Sequence, residues 1–142
     1  MSYLLLTALF YCQHTVAQAP KKIWDVRFGG NSYDYCYDVH QTSDGGYILG
    51  GTSRSDISGD KSQSSYGGDE DYWIVKTDPD GVKQWDYRYG NYQADYFTCI
   101  QQTIDGGYIL GGYGVCHQNV DHSTEGFGDN DAWIIKVDST GV

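Results

Sequence analysis

The chain has 142 residues, a net charge of −10 and a sequence pI of about 4.4. This acidity excludes nucleic acid and anionic membrane surfaces as expected partners, because both attract clustered Lys and Arg side chains, whereas divalent cations, neutral sugars and basic proteins remain compatible. Nineteen Gly and 14 Tyr against two Pro and one Met indicate short strands joined by tight turns, in a length that suits one domain.

Residues 1–17 are predicted to be a secretory signal peptide. Residues 3–12 are mostly apolar but too few to span a bilayer, and small residues ending at Ala17 follow them. Cleavage is expected after Ala17, since a cut after Ala19 would leave Pro20 directly behind it. No Lys or Arg precedes the apolar run, which is atypical of such signals. The mature protein is therefore expected to be secreted or at the cell surface, with no membrane span.

The remaining chain consists of two copies of one unit. The eight residues that begin at Asp44, Asp-Gly-Gly-Tyr-Ile-Leu-Gly-Gly, return unchanged from Asp105, 61 positions later. A repeat of this length decides the architecture before any local pattern does. The domain is predicted to span 22–142, as repeats 22–82 and 83–142. Residues shared by the repeats are expected to serve the fold, and function is expected where the copies differ.

Short strands are predicted throughout, and no helix, because nothing in the mature chain has a sustained 3.6-residue apolar period. Asp-Gly-Gly and Asp-x-x-Gly sequences mark tight turns in each repeat. The strand cores are apolar on both faces, as in Trp73-Ile74-Val75, which is typical of sheets stacked face to face. In chain order, the predicted strands are residues 22–28, 37–42, 47–53, 72–78, 83–89, 98–103, 108–113 and 132–138.

The motifs of the repeat carry a family resemblance. The patterns Trp-x(3)-Phe/Tyr-Gly, Thr-x-Asp-Gly-Gly-Tyr-Ile-Leu-Gly-Gly and Asp-x-Trp-Ile-x-Lys-x-Asp-x-x-Gly recur between Trp24 and Gly141. They resemble the β-propeller repeats of large exported bacterial proteins, many of them from Bacteroidetes-type bacteria. The resemblance implies an all-β propeller with two four-stranded antiparallel blades that belong to a larger ring. It implies a fold and almost nothing about chemistry.

Two blades cannot close a ring alone, and they would leave large apolar faces exposed. The favoured interpretation is an incomplete chain whose further blades belong to a longer protein. The alternative is self-association of several copies, as in small two-blade sugar-binding lectins that trimerise into rings. The sugar-contact motifs of those lectins are not matched here.

Four tyrosines are candidate ligand contacts, because they precede or begin the first strand of each repeat, in loops expected on one rim. These are Tyr33, Tyr35, Tyr92 and Tyr96. Exposed Tyr rings beside Asp carboxylates can stack on sugars and bind their hydroxyl groups; the alternative is that the rings pack between blades. The neighbouring Asp34 and Asp95 are 61 positions apart, so they are expected to be fold residues that accept backbone N–H groups.

The long loop 54–70 is a candidate Ca²⁺ site, since Ca²⁺ needs clustered oxygen ligands. Its candidate ligands are Asp56, Asp60, Asp69 and Asp71. The spacing is not that of an EF-hand, and the favoured alternative is a solvated acidic loop whose Asp residues form turns with their own backbone. Residues 56–62 show no clear match in the corresponding loop of the second repeat, 114–130.

Cysteine usage gives no disulfide framework. Cys36, Cys99 and Cys116 have no Cys at the equivalent position of the other repeat, and three thiols cannot all pair within one chain, so buried free thiols are expected. Cys116 and His117 with His122 are the nearest approach to a zinc site, and a fourth ligand is missing.

No nucleophile–base motif, phosphate-binding loop or metalloprotease helix is present, so no catalytic residue is predicted. His40 is expected to be packed within a strand, and Lys76 and Lys136 are expected to pair with repeated Asp residues across blades. The leading hypothesis is an exported propeller segment that acts as a binding or scaffolding module for a glycan or a protein. The alternatives are a ring-forming two-blade lectin and part of a larger secreted propeller enzyme that acts on glycans. No cofactor is expected beyond the possible Ca²⁺.

Overall fold

The two repeats form two antiparallel β-sheets. A computed structural model describes residues 18–67, 69–115 and 121–142. The first sheet has the order β1-β2-β3-β4 and the second has the order β5-β6-β7. No helix occurs in the described ranges, so the all-β class is confirmed. The strands are β1 Asp34–Gln41, β2 Tyr47–Ser53, β3 Asp71–Thr77, β4 Lys83–Tyr89, β5 Asp95–Gln102, β6 Tyr108–Gly114 and β7 Asp131–Val137.

The first strand of each sheet begins earlier than the sequence pattern indicates. β1 already pairs with β2 at Asp34, opposite Ser53, and β5 pairs with β6 at Asp95, opposite Gly114. Both strands contain a β-bulge, between Cys36 and Asp38 in β1 and between Phe97 and Cys99 in β5. A bulge breaks the two-residue alternation of side chains, so the half of each strand before the bulge had no readable period.

The predicted tight turns are confirmed. In the turn from β1 to β2, the carboxylate of Asp44 accepts the Thr42 hydroxyl at 2.5 Å and the Gly46 N–H at 3.0 Å. Gly45 has a φ of +85° there, a backbone conformation that favours glycine. The equivalent turn of the second sheet has Gly106 at +84°.

The repeated lysines pair within one repeat, and the prediction that they pair across blades is wrong. Lys76 Nζ lies 2.8 Å from Asp44 Oδ2, and Lys136 Nζ lies 2.8 Å from Asp105 Oδ2. Each lysine stands near the end of the third strand, which runs beside the second strand and therefore reaches the turn that precedes it. The hydrogen bond from Lys76 lowers the pKa of Asp44 below its usual range.

The core lies between the two sheets. Ile48, Tyr72 and Ile74 of the first sheet are fully buried together with Leu110 of the second. The Phe97 ring packs edge-on against Tyr72, at 5.5 Å between centroids. Gly50 is required at this contact, because a Cβ there would come within 2.1 Å of the Phe97 ring.

Residues 22–28 form no strand, which corrects the first predicted element. They nevertheless pack on the first sheet as β4 packs on the second. The Trp24 ring meets Tyr47 edge-on at 5.6 Å and 70°, and Trp85 of β4 meets Tyr108 at 5.9 Å and 66°. The difference is one of pairing, because β4 is hydrogen-bonded to β3, whereas no strand pairs with residues 22–28 in the described part of the chain.

The second sheet accordingly has three strands in the described ranges, where four were predicted, and the two sheets do not close on each other. None of the described residues forms a helix that could cross a membrane. The predicted signal peptide, residues 1–17, lies outside the described residues.

Two expectations of burial are wrong. Cys36 and Cys99 are free thiols, as expected, but they are exposed. His40 is also exposed, and its Nε2 lies 3.1 Å from Asp38 Oδ1. Cys99 and His40 both line the open side of the second sheet, which neither sheet of the described residues covers. Cys116 lies outside the described residues.

We predict that Gly81→Ala destabilises the protein more than Gly106→Ala. Both glycines have positive φ, which costs a residue with a Cβ about 1 kcal/mol. A Cβ at Gly81 would also lie 3.2 Å from Trp24 and Val26, whereas one at Gly106 would meet nothing within 4 Å. Urea unfolding is expected to show roughly 1 kcal/mol of additional loss for Gly81→Ala.

In a Trp24→Ala background the additional loss of stability from Gly81→Ala should be smaller, because the ring that the new Cβ would crowd has been removed. Equal losses for the two glycine variants in the unmodified chain would show that residues 22–28 do not pack on the turn.

Candidate functional site

Three exposed tyrosines form a row along β1 and the residue before it. The rings of Tyr33 and Tyr35 are nearly parallel at 6.3 Å between centroids, and those of Tyr35 and Tyr37 are 6.2 Å apart and 24° from parallel. Each of the three side chains is at least 48% exposed. We refer to Tyr33, Tyr35 and Tyr37 as the tyrosine row. It combines Tyr33 and Tyr35 from the sequence prediction with Tyr37, which the prediction missed.

The tyrosine row stays open because β1 is the edge strand of its sheet. Tyr35 remains 48% exposed although the second sheet packs on one face of the first. In the second sheet, Tyr96 and Thr98 are the counterparts of Tyr35 and Tyr37, and both are exposed although the first sheet packs on that sheet. A sheet packed on either face of a repeat therefore leaves the edge formed by its first strand accessible.

The tyrosine row belongs to the first repeat alone. The residues 61 positions after Tyr33, Tyr35 and Tyr37 are Ala94, Tyr96 and Thr98. Two of the three rings are therefore absent from the second repeat, as expected for residues that serve a function instead of the fold. The alternating Tyr-x-Tyr-x-Tyr sequence was the available signal for Tyr37, and placing the strand start at residue 37 concealed it.

The other two predicted tyrosines lie in different clusters. Tyr92 contacts Tyr66 at 5.7 Å between centroids, and the Arg88 guanidinium lies 3.4 Å above the Tyr66 ring. Tyr96 pairs with Tyr113 of β6 at 5.2 Å. Tyr92 and Tyr96 are exposed, but neither stacks on the tyrosine row.

Asp34 fixes the backbone between two rings of the row. Its Oδ2 accepts the Gly30 N–H and the Ser55 hydroxyl, both at 2.8 Å, and its Oδ1 accepts the Ser53 hydroxyl at 2.5 Å. Asp95 accepts the Asn91 N–H at 2.8 Å in the same way. The interpretation of this Asp pair as fold residues that satisfy backbone N–H groups is confirmed.

The long loops are anchored by an aspartate at the same repeat position. Asp60 Oδ2 accepts the Gly29 N–H at 3.2 Å, and Asp121 Oδ2 accepts the Gly90 N–H at 3.0 Å. Asp60 and Asp121 are 61 positions apart, so the expectation that residues 56–62 have no counterpart is wrong. The unlike neighbours of the two aspartates concealed the match, although the repeat offset alone would have found it.

The next position of each loop carries a buried polar side chain. Lys61 donates to the Ser55 carbonyl at 2.9 Å and to the Ser65 hydroxyl at 2.8 Å, and burial lowers its pKa to about 8. His122, 61 positions later, lies 3.1 Å from Asp95 Oδ1, and burial lowers its pKa. These groups hold the loops from within and do not face solvent.

Two carboxyl groups lie buried at the junction of the repeats. Asp71 and Asp95 are completely inaccessible, and a Cβ on Gly90 would stand within 3 Å of an oxygen of each. Burial raises the pKa of both to about 7. Carboxyl groups with raised pKa values occur in catalytic sites, but these two are sealed from any substrate. They are structural groups whose burial shifts their ionisation toward neutral pH.

Three of the four candidate calcium ligands have other partners. Asp60 accepts the Gly29 N–H, Asp71 Oδ2 accepts the Tyr66 N–H at 2.6 Å, and Asp69 lies 3.8 Å from Arg54. Asp56 is exposed. The described residues contain no group of three or more His, Cys, Asp or Glu side chains that could hold a metal ion. Cys116 and His117 of the candidate zinc site lie outside those residues.

A groove of about 230 Å³ adjoins the tyrosine row, between residues 22–28 and the first sheet. Phe28, Tyr35 and Trp73 line it, so its walls are largely apolar.

Comparison with known proteins finds no matching family model and no matching curated protein. The tyrosine row is the feature of the described residues that indicates a function, because it is accessible and belongs to one repeat.

We predict that Asp71→Asn flattens the pH dependence of stability between pH 4 and 7. Asp71 has a pKa near 4 in the unfolded chain and about 7 when folded, so the folded state binds more protons in this window. The free energy of unfolding therefore falls as pH rises, and one carboxyl group contributes about 1.4 kcal/mol per pH unit. Urea unfolding at pH 5 and pH 7 measures the slope.

Asp44→Asn is the control, because the lowered pKa of Asp44 confines its titration to more acidic solutions. The same slope in the protein and in Asp71→Asn would show that Asp71 ionises freely in the fold.

We predict that Ca²⁺ leaves the melting temperature unchanged. The carboxylates of Asp60 and Asp71 already accept backbone N–H groups, and binding a cation would require those hydrogen bonds to break. Thermal unfolding with millimolar CaCl₂ and with EDTA is the measurement. A higher midpoint with Ca²⁺ that EDTA reverses would restore loop 54–70 as a calcium site.

Proposed function

We propose that this protein is an exported β-propeller binding module whose tyrosine row binds a neutral glycan. The observation that carries the proposal is the tyrosine row itself: three consecutive, nearly parallel and exposed rings on a sheet edge that the neighbouring sheet leaves open. Export is supported by the apolar, small-residue pattern of residues 1–17.

Three features support the propeller. Each repeat builds one antiparallel sheet, the sheets stack face to face, and residues 61 positions apart make the same contacts, as Trp24 with Tyr47 and Trp85 with Tyr108 do. We place the first strand of each four-stranded sheet nearest the axis of the ring, with β4 as the outer strand. In that arrangement β1 and the tyrosine row face the central channel.

Two properties favour a neutral glycan as the ligand. Phenol rings offer apolar faces to the C–H groups of a sugar and a hydroxyl for hydrogen bonding, at a low cost in side-chain entropy. Successive rings along a strand suit an extended polymer, whose successive units meet successive rings. The net charge of −10 disfavours acidic polysaccharides.

A protein ligand is the second candidate. Tyrosine is enriched among the residues that dominate protein–protein binding energies, and the apolar groove of about 230 Å³ beside the row could receive a side chain of a partner.

We predict that Tyr33→Ala and Tyr37→Ala each weaken glycan binding about tenfold, because each removes one stacking surface worth about 1.4 kcal/mol. A glycan array identifies the ligand, and titration calorimetry measures the dissociation constants of the variants.

Tyr92→Ala is the matched control, since Tyr92 is as exposed as Tyr33 but lies in another cluster. Equal losses of binding affinity in all three variants would show that the tyrosine row has no special role in binding. Binding that only a protein ligand shows would replace the glycan by the second candidate.

A further inference from the structure

The second sheet has an unpaired outer edge. β7 is the counterpart of β3, which pairs with β4, but no strand pairs with the outer side of β7 in the described residues. Residues 22–28 are the counterparts of β4 at a distance of 61 positions, and they are not in a strand. The chain therefore contains the counterparts of both β3 and β4, namely β7 and residues 22–28, but these two segments are not paired with each other.

The two members lie on opposite sides of the molecule. Residues 22–28 line the face of the first sheet that includes Leu49. The second sheet packs on the face that includes Ile48, and successive residues of a strand point to opposite faces. Residues 22–28 and β7 are thus separated by the stack, so the two segments cannot pair within one copy of the described chain.

The uncovered face of the second sheet matches a covered face of the first. Ile48 and Ile74 are fully buried where the second sheet packs on them. Their counterparts Ile109 and Ile134 are 39% and 67% exposed. Identical side chains at identical positions are buried in one repeat and open in the other, so the open face fits a sheet of the same kind.

One hydrogen bond of the first sheet has no counterpart among the described residues of the second, and it points to the segment that fits the edge. In the first sheet, Trp73 Nε1 donates to Asp86 Oδ2 of β4 at 3.0 Å. The counterparts are Trp133 and Asp25. Among the described residues, the Asp25 carboxylate pairs with Lys22 at 3.0 Å, with both side chains exposed, and the hydrogen bond of Trp73 Nε1 has no counterpart at Trp133.

A missing cation–π contact points to the same segment. Arg88 of β4 lies over the Tyr66 ring at 3.4 Å. The counterparts of this pair are Arg27 and Phe127, and Phe127 is fully exposed. Residues 22–28 therefore supply both an acceptor for Trp133 and a cation for Phe127, at the spacing that β4 has in the first sheet.

We propose that residues 22–28 of one copy of this chain form the fourth strand of the second sheet of another copy. The register of β3 with β4 places Val26 opposite Ile134, as Tyr87 lies opposite Ile74. In that position Asp25 accepts the Trp133 indole N–H, Arg27 covers Phe127, and the first sheet covers Ile109 and Ile134.

The contact is head-to-tail, because it joins two different surfaces of the same chain. A head-to-tail contact yields a ring if the rotation closes, and propellers contain about four to eight sheets. Two sheets per chain then require two to four copies. This proposal does not depend on the glycan, since it uses neither Tyr33 nor Tyr37.

Disulfide cross-linking between two differently tagged chains tests the register. All native cysteines are replaced by Ser; one chain then carries Val26→Cys and the other Ile134→Cys. Paired strands hold opposed Cα atoms about 4.5–5.5 Å apart, within the range for a disulfide. We expect a covalent heterodimer on a non-reducing gel after mild oxidation. Arg27→Cys with Ile134→Cys is the control, because residue 27 points to the other face, and at least tenfold less product is expected.

Light scattering after size exclusion supplies the second measurement. We expect a discrete oligomer of two to four copies, whose association Asp25→Ala weakens about tenfold through loss of a charge-assisted hydrogen bond. Asp56→Ala, another exposed aspartate, should leave the association unchanged. A folded monomer overturns the proposal, as does an oligomer without the cross-link from residue 26 to residue 134; the open face would then belong to a further repeat or to a different protein.

Discussion

The structure depends on one recurring contact, the packing of one sheet face on the next. Each sheet is apolar on both sides, so neither is stable with a face in water. The contact between the repeats is formed by Ile48 and Ile74 on one side and by Phe97 and Leu110 on the other. Gly50 leaves the space into which the Phe97 ring enters, which sets the distance between the sheets. Trp24 makes an equivalent contact on the far face of the first sheet, and its segment, residues 22–28, pairs with no strand in the part of the chain that the structure describes.

The polar groups hold the loops in register with this packing. Asp34 and Asp95 satisfy backbone N–H groups where the first strands begin, and Asp60 and Asp121 fasten the long loops to the glycines before them. The carboxylate of Asp60, which the sequence suggested would be solvated or bind Ca²⁺, is used in one of these hydrogen bonds. The acidic loop is therefore an anchored element: Lys61 within it and Asp71 of β3, which directly follows it, are both buried. The result is a rigid base beneath the exposed rings of β1.

The repeat in the sequence predicted the class, the turns and the strands β2 and β4 with their bounds, because identical octapeptides and regular alternation report directly on backbone geometry. It did not predict the early starts of β1 and β5, since a bulge breaks the alternation there. It placed residues 22–28 in a strand because the pattern of β4 is present, although a strand also needs an edge to pair with. For the candidate site, exposure of Tyr33 and Tyr35 followed from the loop position, while Tyr37 and the grouping of the three rings required the fold. Cys99 and His40 were expected inside because the sequence does not say which sheet face lacks a neighbour.

If the tyrosine row binds a glycan polymer, as proposed, its restriction to one repeat determines how strongly that polymer is held. One chain offers a single row, so a single chain gains only the affinity of that row. In the proposed ring of several copies, the rows would face the proposed channel at regular intervals, and a long ligand that engages one row would meet the next at a high effective concentration. The overall affinity for the polymer then rises with each further row that it engages, although each single contact is weak. Short oligosaccharides would be released quickly while the parent polymer stays bound, so selectivity for chain length arises from symmetry and not from any pocket.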